Sequence, residues 1–192
     1  MDLNLNLNLY KINRIKIGTG DALQWKSNTP LGWAIRLFAK ASDKNKRSLP
    51  EYNVNHTSLA IVFHEYDQNR RYTTEALEHG IDLNLLSRRL REYKGEVYWL
   101  PLMLKYNYCR PAIGKIALSH MGIDYDYKSL LRQTYSRVRP DRKKLFCSEH
   151  YFIAVRAGFN MNGVELLDSI EKAPRPCDIP DLGIFGKPVR IK

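Results

Sequence analysis

A cysteine stands where an apolar segment turns into the first residues of a predicted helix, and this position can activate a thiol as a nucleophile. Phe146 precedes Cys147, and from Ser148 to about Arg156 no Pro or Gly interrupts the chain before Gly158 offers a stop. Unpaired backbone N–H groups and the positive end of the helix dipole favour thiolate over thiol at such a place. The commoner role of a free cysteine is that of a small buried apolar residue, so the position by itself leaves both interpretations open.

A nucleophilic cysteine needs an imidazole to take its proton, and that imidazole needs an acceptor that orients it. His56 stands at the polar beginning of the run 54–63, whose consecutive apolar residues at the far end are typical of a buried strand. The β formers of 71–76 can pair with that run as a hairpin, which would put the carboxylate of Glu75 on the strand beside His56. Cys147, His56 and Glu75 are therefore one candidate set under a loose geometric template. The competing histidines are His64 at a strand exit, His79 in a turn, His120 on a partly apolar helix face, and His150 on the predicted Cys147 helix.

Short strands and helices follow one another along the chain, which predicts an α+β fold with a small antiparallel sheet packed against helices. Residues 1–17 begin with alternating Leu and Asn, and this period of two predicts an N-terminal arm or an edge strand. Residues 18–192 are predicted to form a single domain, whose Pro-rich C-terminal tail, 172–192, should wrap the surface. Further strands are expected at 22–25 and 96–100, and further helices at 30–39, 85–93 and 110–120.

The amino-acid composition limits the kinds of binding partner and the cellular compartment that we expect for this protein. The chain has 192 residues, of which 44% are hydrophobic, and this suffices for one domain with a sizeable core. Its net charge of +11 predicts attraction to polyanions such as nucleic acid, anionic lipid or acidic cell-wall polymers. The 3 cysteines form no CxxC pair, and an odd count leaves at least one thiol free, which suits a reducing compartment. We recognise neither a secretory signal nor an apolar run of about 18 residues, so we expect a cytoplasmic protein with no transmembrane segment.

Several short pieces of the sequence occur in an order that matches a known enzyme family. In chain order they are Gly20-Asp21, Asn55-His56-Thr57-Ser58, Thr74-Glu75-Ala76, Gly80-Ile81, Tyr125-Asp126-Tyr127 and Phe146-Cys147-Ser148-Glu149. This order resembles the circularly permuted NlpC-like cysteine hydrolases of the YiiX/YebB-like group. These are relatives of papain-like peptidases in which the His-bearing strands precede the Cys-bearing helix. The resemblance extends over residues 18–181 and implies a permuted papain-like (NlpC-like) fold.

The resemblance also implies roles for the candidate residues. Cys147 would be the nucleophile, His56 the general base, and Glu75 the residue that orients the base. The protein would be a cysteine peptidase or amidase, which cleaves a peptide, amide or cell-wall-derived substrate through a covalent thioacyl intermediate. Both phages and bacteria use enzymes of this kind. No cofactor is implied, and we expect no metal, because Cys147 and His150 have no second close pair of Cys or His to complete a tetrahedral site.

Four further residues are weaker candidates for the substrate cleft. Glu149 could be a second acid, but a carboxylate in the first helical turn also stabilises the helix N-terminus, and we favour that role. Asp21 could hydrogen-bond near the cleft, although a turn or capping role is commoner. Tyr125 and Tyr127 could line the cleft or donate to an oxyanion, or they could be a half-buried aromatic pair. The first oxyanion donor that we expect is the backbone N–H of Cys147.

Two other classes of function fit the same sequence. The charge and the clustered arginines would suit a non-catalytic module that binds nucleic acid or another polyanion, with an affinity that falls steeply with salt. An acyltransferase or thioesterase acting at a lipid surface would combine the thiol with the basic surface. That third function requires an amphipathic apolar patch, which the sequence does not identify.

Overall fold

The structure is a computed structural model of the chain, and it describes residues 3–28, 49–63, 70–77, 79–125 and 144–192. Over these ranges the chain forms a six-stranded sheet and a two-stranded pair together with helices, which confirms the α+β class. The strands are β1 (Ala22–Ser27), β2 (His56–Ile61), β3 (Tyr72–Leu77), β4 (Gly80–Leu85), β5 (Gly95–Leu100), β6 (Asp124–Tyr125), β7 (Lys144–Leu145) and β8 (Val189–Arg190). The helices are α1 (Leu3–Asn13), α2 (Leu86–Glu92), α3 (Arg110–Ser119) and α4 (Cys147–Asn160), with 3₁₀ turns at Arg14–Lys16, Pro50–Tyr52, Leu104–Cys109 and Pro176–Leu182.

The six-stranded sheet has the order β4-β3-β2-β1-β5-β8, and all neighbouring strands are antiparallel. The predicted strands at 22–25, 54–63, 71–76 and 96–100 are all present, and β2 and β3 pair as the hairpin argument expected. In that register Trp25 of β1 lies opposite His56, and Thr74 of β3 lies opposite Leu59. Because β2 and β3 are antiparallel, the start of β2 and the end of β3 lie at the same end of the sheet.

Two apolar cores lie on opposite faces of the sheet, because successive strand residues point to opposite sides. Leu59 and Ile61 pack with residues of α3 and α4. Leu23, Trp25 and Ala60 pack instead with residues of α1 and α2. The interior of β2 is thus buried on both faces, as its consecutive apolar residues predicted.

The prediction of an N-terminal edge strand is wrong over Leu3–Asn13, which is helix α1. Leucine is a strong helix former and asparagine is depleted from strands, so the alternation of the two does not favour pairing. Tyr10 is only 4% exposed and packs in the core that Trp25 and Leu90 share. Tertiary packing of one helical face therefore outweighs a period of two.

The C-terminal segment does not wrap the surface as predicted. It contributes buried apolar residues to the interior and adds β8 as the outer strand of the sheet. Ala173, Ile179, Ile184 and Ile191 are all 0% exposed. Proline prevents long regular elements here, but the apolar residues between the prolines still bury their side chains.

Helix α4 continues to Asn160, two residues past the stop that Gly158 predicted. The predicted helix at 30–39 lies outside the described residues. Helix α3, from Arg110, agrees closely with its predicted range. No helix among the residues that the structure describes has the length and apolarity needed to cross a membrane.

Candidate active site

Cys147 is the first residue of α4 and is 2% exposed. The chain enters the helix through Phe146, which is buried and extended, with φ of −98° and ψ of 170°. The N–H of Phe146 donates to Oε2 of Glu149 at 3.4 Å, which is the carboxylate half of a capping box. The capping role favoured for Glu149 is therefore observed, and its side chain is buried rather than open to a cleft.

His56 is the first residue of β2, and its imidazole lies close enough to the thiol of Cys147 for each group to shift the pKa of the other. Burial opposes ionisation of the thiol, but the charge and hydrogen bond of His56 favour it, as do the backbone amides of Thr57 and Ser148. These favourable contacts prevail and lower the pKa of Cys147 below its ordinary value. The thiol thus has the electropositive surroundings that make a cysteine nucleophilic.

Glu75 supplies the acceptor on the other side of the imidazole. Nε2 of His56 lies 3.1 Å from Oε2 of Glu75, and this leaves Nδ1 as the ring nitrogen for the thiol. Burial by itself disfavours the imidazolium, but the Cys147 thiolate and the Glu75 carboxylate together raise the pKa of His56 to about 9. A raised imidazole pKa beside a lowered thiol pKa describes a thiolate–imidazolium pair over the intervening pH range.

Arg89 of α2 completes the series, and nothing in the sequence pattern pointed to it. Its Nε lies 3.0 Å from Oε1 and 3.2 Å from Oε2 of Glu75, whose side chain is 0% exposed. Burial disfavours the carboxylate, yet hydrogen bonds and charges from His56 and Arg89 hold the pKa of Glu75 below its usual range. The guanidinium also lies over the rings of Trp25 at 5.3 Å and Tyr93 at 5.6 Å. Arg89 was visible in the sequence only as one of several basic residues on a short helix.

The C-terminal segment is anchored beside the thiol. The hydroxyl of Ser148 donates to the carbonyl oxygen of Pro174 at 2.7 Å, and Nε2 of Gln24 donates to that of Pro176 at 3.0 Å. Oε1 of Gln24 in turn accepts from the Thr57 hydroxyl at 2.7 Å. These bonds connect β1, β2 and the first turn of α4, so the tail helps to fix the helix that presents Cys147.

Of the remaining weaker candidates, Asp21 does not join this group. Asp21 precedes β1 at the end away from Trp25, is 0% exposed, and its carboxylate accepts bonds from Trp99, the Leu102 N–H and Arg110. It has the structural role that was thought commoner for it. Tyr125 lies in β6, which pairs in parallel with β7 immediately before the Cys147 helix. Tyr127 lies outside the described residues.

Two other histidines, the buried His150 and the half-buried His120, contact each other next to the site. Nδ1 of His150 is 3.2 Å from Nδ1 of His120, and its Nε2 is 2.9 Å from the hydroxyl of Thr74. Burial, with the nearby charges of His120 and His56, lowers the pKa of His150 to about 3. His150 is 0% exposed and is a core residue on the Cys147 helix. His79 is exposed in a turn, and His64 lies outside the described ranges.

The site can present a thiolate, a proton donor and acceptor, and backbone amides at the start of a helix. The first amides of α4 have no partner within the helix, so they can receive a developing oxyanion. Among the described residues, no group of three or more His, Cys, Asp or Glu is arranged to hold a metal ion. Comparison with known proteins finds no matching family model and no matching curated protein.

Proposed function

We propose that the protein is a cysteine hydrolase that cleaves an amide, peptide or related acyl bond. Cys147 is the nucleophile, His56 the general base and acid, and Glu75 the residue that orients His56. The observation that carries the proposal is that the imidazole of His56 interacts with the Cys147 thiol and also lies 3.1 Å from Oε2 of Glu75. These residues also carry the resemblance to permuted NlpC-like cysteine hydrolases, and a permuted papain-like fold is part of the proposal.

The reaction proceeds in two stages. The Cys147 thiolate adds to the acyl carbon, and the carbonyl oxygen becomes an oxyanion that accepts hydrogen bonds from the first amides of α4. The imidazolium of His56 then gives its proton to the leaving amine or alcohol, which departs and leaves a thioester on Cys147. Neutral His56 next takes a proton from water as that water attacks the thioester. The acid product leaves, and the thiolate–imidazolium pair is restored.

Peptides, simple amides and cell-wall-derived peptides are the substrates to screen. An amine or alcohol that attacks the thioester in place of water would give acyl transfer from the same intermediate. Cys147, His56 and Glu75 have different roles in this scheme, so the role of each residue can be tested separately.

The test is the rate of iodoacetamide alkylation at each cysteine against pH, followed by mass spectrometry in wild type, His56→Ala and the control His79→Ala. We expect Cys147 to react as a thiolate well below the ordinary thiol pKa of about 8.5, and His56→Ala to slow it about tenfold or more at neutral pH. Cys109 is an internal reference, because it is 0% exposed and burial raises its pKa. His79→Ala removes an exposed histidine and should leave the profile unchanged.

The proposal would be overturned if Cys147 titrated with an ordinary thiol pKa and its alkylation profile were the same in wild type and His56→Ala. The resemblance would then be one of fold alone, and the basic surface would become the feature to explain. Binding of nucleic acid that survives Cys147→Ala and weakens steeply with salt would support the polyanion-binding alternative instead.

A further inference from the structure

A cavity of about 570 Å³ lies at the end of the sheet away from Cys147. Its walls come from the segment before β1, the end of β2, and the start of α3 with the 3₁₀ turn before it. His56 begins β2, whereas Ile61 and Val62 at the far end of that strand line the cavity. The volume lies in the range of about 300–1,000 Å³ that is usual for small-molecule sites.

Apolar side chains form much of the cavity wall, and the guanidinium-bearing residues Arg71 and Arg110 line it as well. Ile17, Ile61 and Val62 line it and are 1%, 2% and 8% exposed. Gly114 of α3 adds a wall without a side chain. Apolar walls of this kind favour contact with an alkyl chain over contact with water.

The mouth of the cavity is also apolar, although it faces water. Ile15 and Leu104 both line the cavity, yet 64% and 82% of them are exposed. The neighbouring Ile12 on α1 is 67% exposed. Exposed apolar side chains that converge from separate elements on one opening mark a binding surface more strongly than scattered single residues do.

The two segments that form this mouth carry only positive charge. Residues 3–20 and 101–123 contain no Asp or Glu, and their basic residues are Lys11, Arg14, Lys16, Lys105, Arg110 and Lys115. Asp21 lies 2.7 Å from Arg110 and balances that charge from the interior. Lys16 and Lys115 are exposed and line the cavity from two separate elements, so both add positive charge to its rim.

We infer that this cavity binds an anionic amphiphile, with its carboxylate or phosphate at Lys16 and Lys115 and its alkyl chain against the accessible apolar side chains of Ile15, Leu104 and Leu118. The site is independent of the proposed hydrolase, because none of its walls includes Cys147, His56 or Glu75. The amphiphile can come from solution, as a fatty acid, or from a bilayer, as an acidic phospholipid. The shared chemistry is an acidic group beside a flexible apolar chain.

The test is isothermal titration of the full chain with decanoate, with decanol as the uncharged probe and acetate as the probe without a chain. We expect decanoate to bind, and decanol and acetate each to bind at least about tenfold more weakly, a difference of about 1.4 kcal/mol. The double change Lys16→Glu/Lys115→Glu should weaken decanoate about tenfold or more. The control Lys172→Glu makes the same kind of charge change on an exposed lysine outside the cavity and should have no effect.

Leu118→Trp tests the chain-binding part, because Leu118 lines the cavity from α3 and a larger side chain would fill it. Thermal unfolding checks that this variant folds, and the lysine variants keep the test decisive if it does not. Equal binding of decanoate and decanol, or undiminished decanoate binding in the lysine double variant, would overturn the inference. Cys147→Ala should bind decanoate normally, so a failure of this inference is distinguishable from a failure of the hydrolase proposal.

Co-sedimentation with phosphatidylcholine vesicles, with and without phosphatidylglycerol, identifies the source of the amphiphile. Binding only to phosphatidylglycerol vesicles, lost in the lysine double variant, would assign the site to a bilayer lipid. Decanoate binding without vesicle binding would assign it to a free amphiphile. Absence of both would overturn the inference.

Discussion

Burial disfavours the negative charge of Glu75, but its neighbours His56 and Arg89 stabilise the carboxylate. Its side chain is 0% exposed, and it bonds His56 through one oxygen and Arg89 through both. A buried carboxylate that lost its cation would be protonated at higher pH and would then no longer stabilise the His56 imidazolium. Arg89 thereby influences the thiol through two other side chains.

Arg89→Met should destabilise the fold and make Cys147 less reactive at neutral pH. Removing one partner of a buried pair costs about 3–5 kcal/mol, and we expect the lower end because 24% of the Arg89 side chain is exposed. Urea unfolding and the alkylation profile of Cys147 measure the two effects. Arg89→Lys should recover part of both.

The matched control for this change is Arg88→Met on the same helix. Arg88 is 74% exposed and pairs with Glu92 across one helical turn, so its removal should cost well under about 1 kcal/mol. Equal effects of the two changes would show that Arg89 acts only through general surface charge.

His150 should make the protein sensitive to acid. Its pKa is about 3 in the folded state against an ordinary value of 6.5, so the unfolded chain binds this proton first as pH falls. The contribution of neutral His150 is fully present above pH 6.5 and is lost as pH falls towards 3, by at most about 1.4 kcal/mol per pH unit. Urea unfolding at a series of pH values should show that the free energy of unfolding falls less steeply with decreasing pH in His150→Gln than in wild type. A slope unchanged from wild type would contradict this account, and His79→Gln, at an exposed position, is the control.

At the scale of elements, the approach of α3 to α4 is set by a glycine. A Cβ at Gly158 would lie 2.5 Å from Cγ1, 2.7 Å from N and 2.8 Å from Cα of Ile113. Backbone atoms cannot give way as a flexible side chain can. Gly158 therefore remains inside the helix, where its low helix propensity had suggested an end.

Gly158→Ala should destabilise the protein despite the better helix propensity of alanine. Propensity gains about 1 kcal/mol, but overpacking against Ile113 costs about 1–3 kcal/mol or more, and contact with backbone points to the high end. Thermal and urea unfolding measure the net loss. A variant more stable than wild type would mean that the helices separate at little cost. The control is Ala157→Gly at the neighbouring half-buried position, which measures how much the difference in helix propensity between alanine and glycine contributes to stability.

At the scale of the whole molecule, the end of the chain closes the fold. Strand β8 pairs with β5, and Ile191 beyond it joins the core of α1 and α2. The Lys192 ammonium donates to the carbonyl oxygens of Leu90 and Tyr93, which follow Arg89 on α2 and just beyond it. The C-terminus thus supports the helix that carries the cation of the candidate site.

Ile191→Ala should destabilise the whole domain by about 2–5 kcal/mol, since Ile191 is 0% exposed and its truncation leaves a cavity. Urea unfolding measures the loss. Arg190→Ala is the neighbouring control, because Arg190 is exposed and should change stability by less than about 0.5 kcal/mol. Similar stabilities of the two variants would mean that the end of the chain is dispensable.

The sequence by itself determined the local elements and the candidate thiol. The strands at 22–25, 54–63, 71–76 and 96–100 and the helix start at Cys147 follow from short-range periodicity and from helix-terminus chemistry, which need only neighbouring residues. The proximity of His56 to Glu75 was accessible because adjacent strands constrain each other.

Only the tertiary structure decided what depends on packing between distant segments. It brought Arg89 to Glu75, His120 to His150, and the C-terminal segment to Ser148 and Gln24. It made a helix of Leu3–Asn13, and it assembled a cavity from four separated parts of the chain. No local pattern encodes these contacts, because each results from burial and charge pairing between residues far apart in sequence.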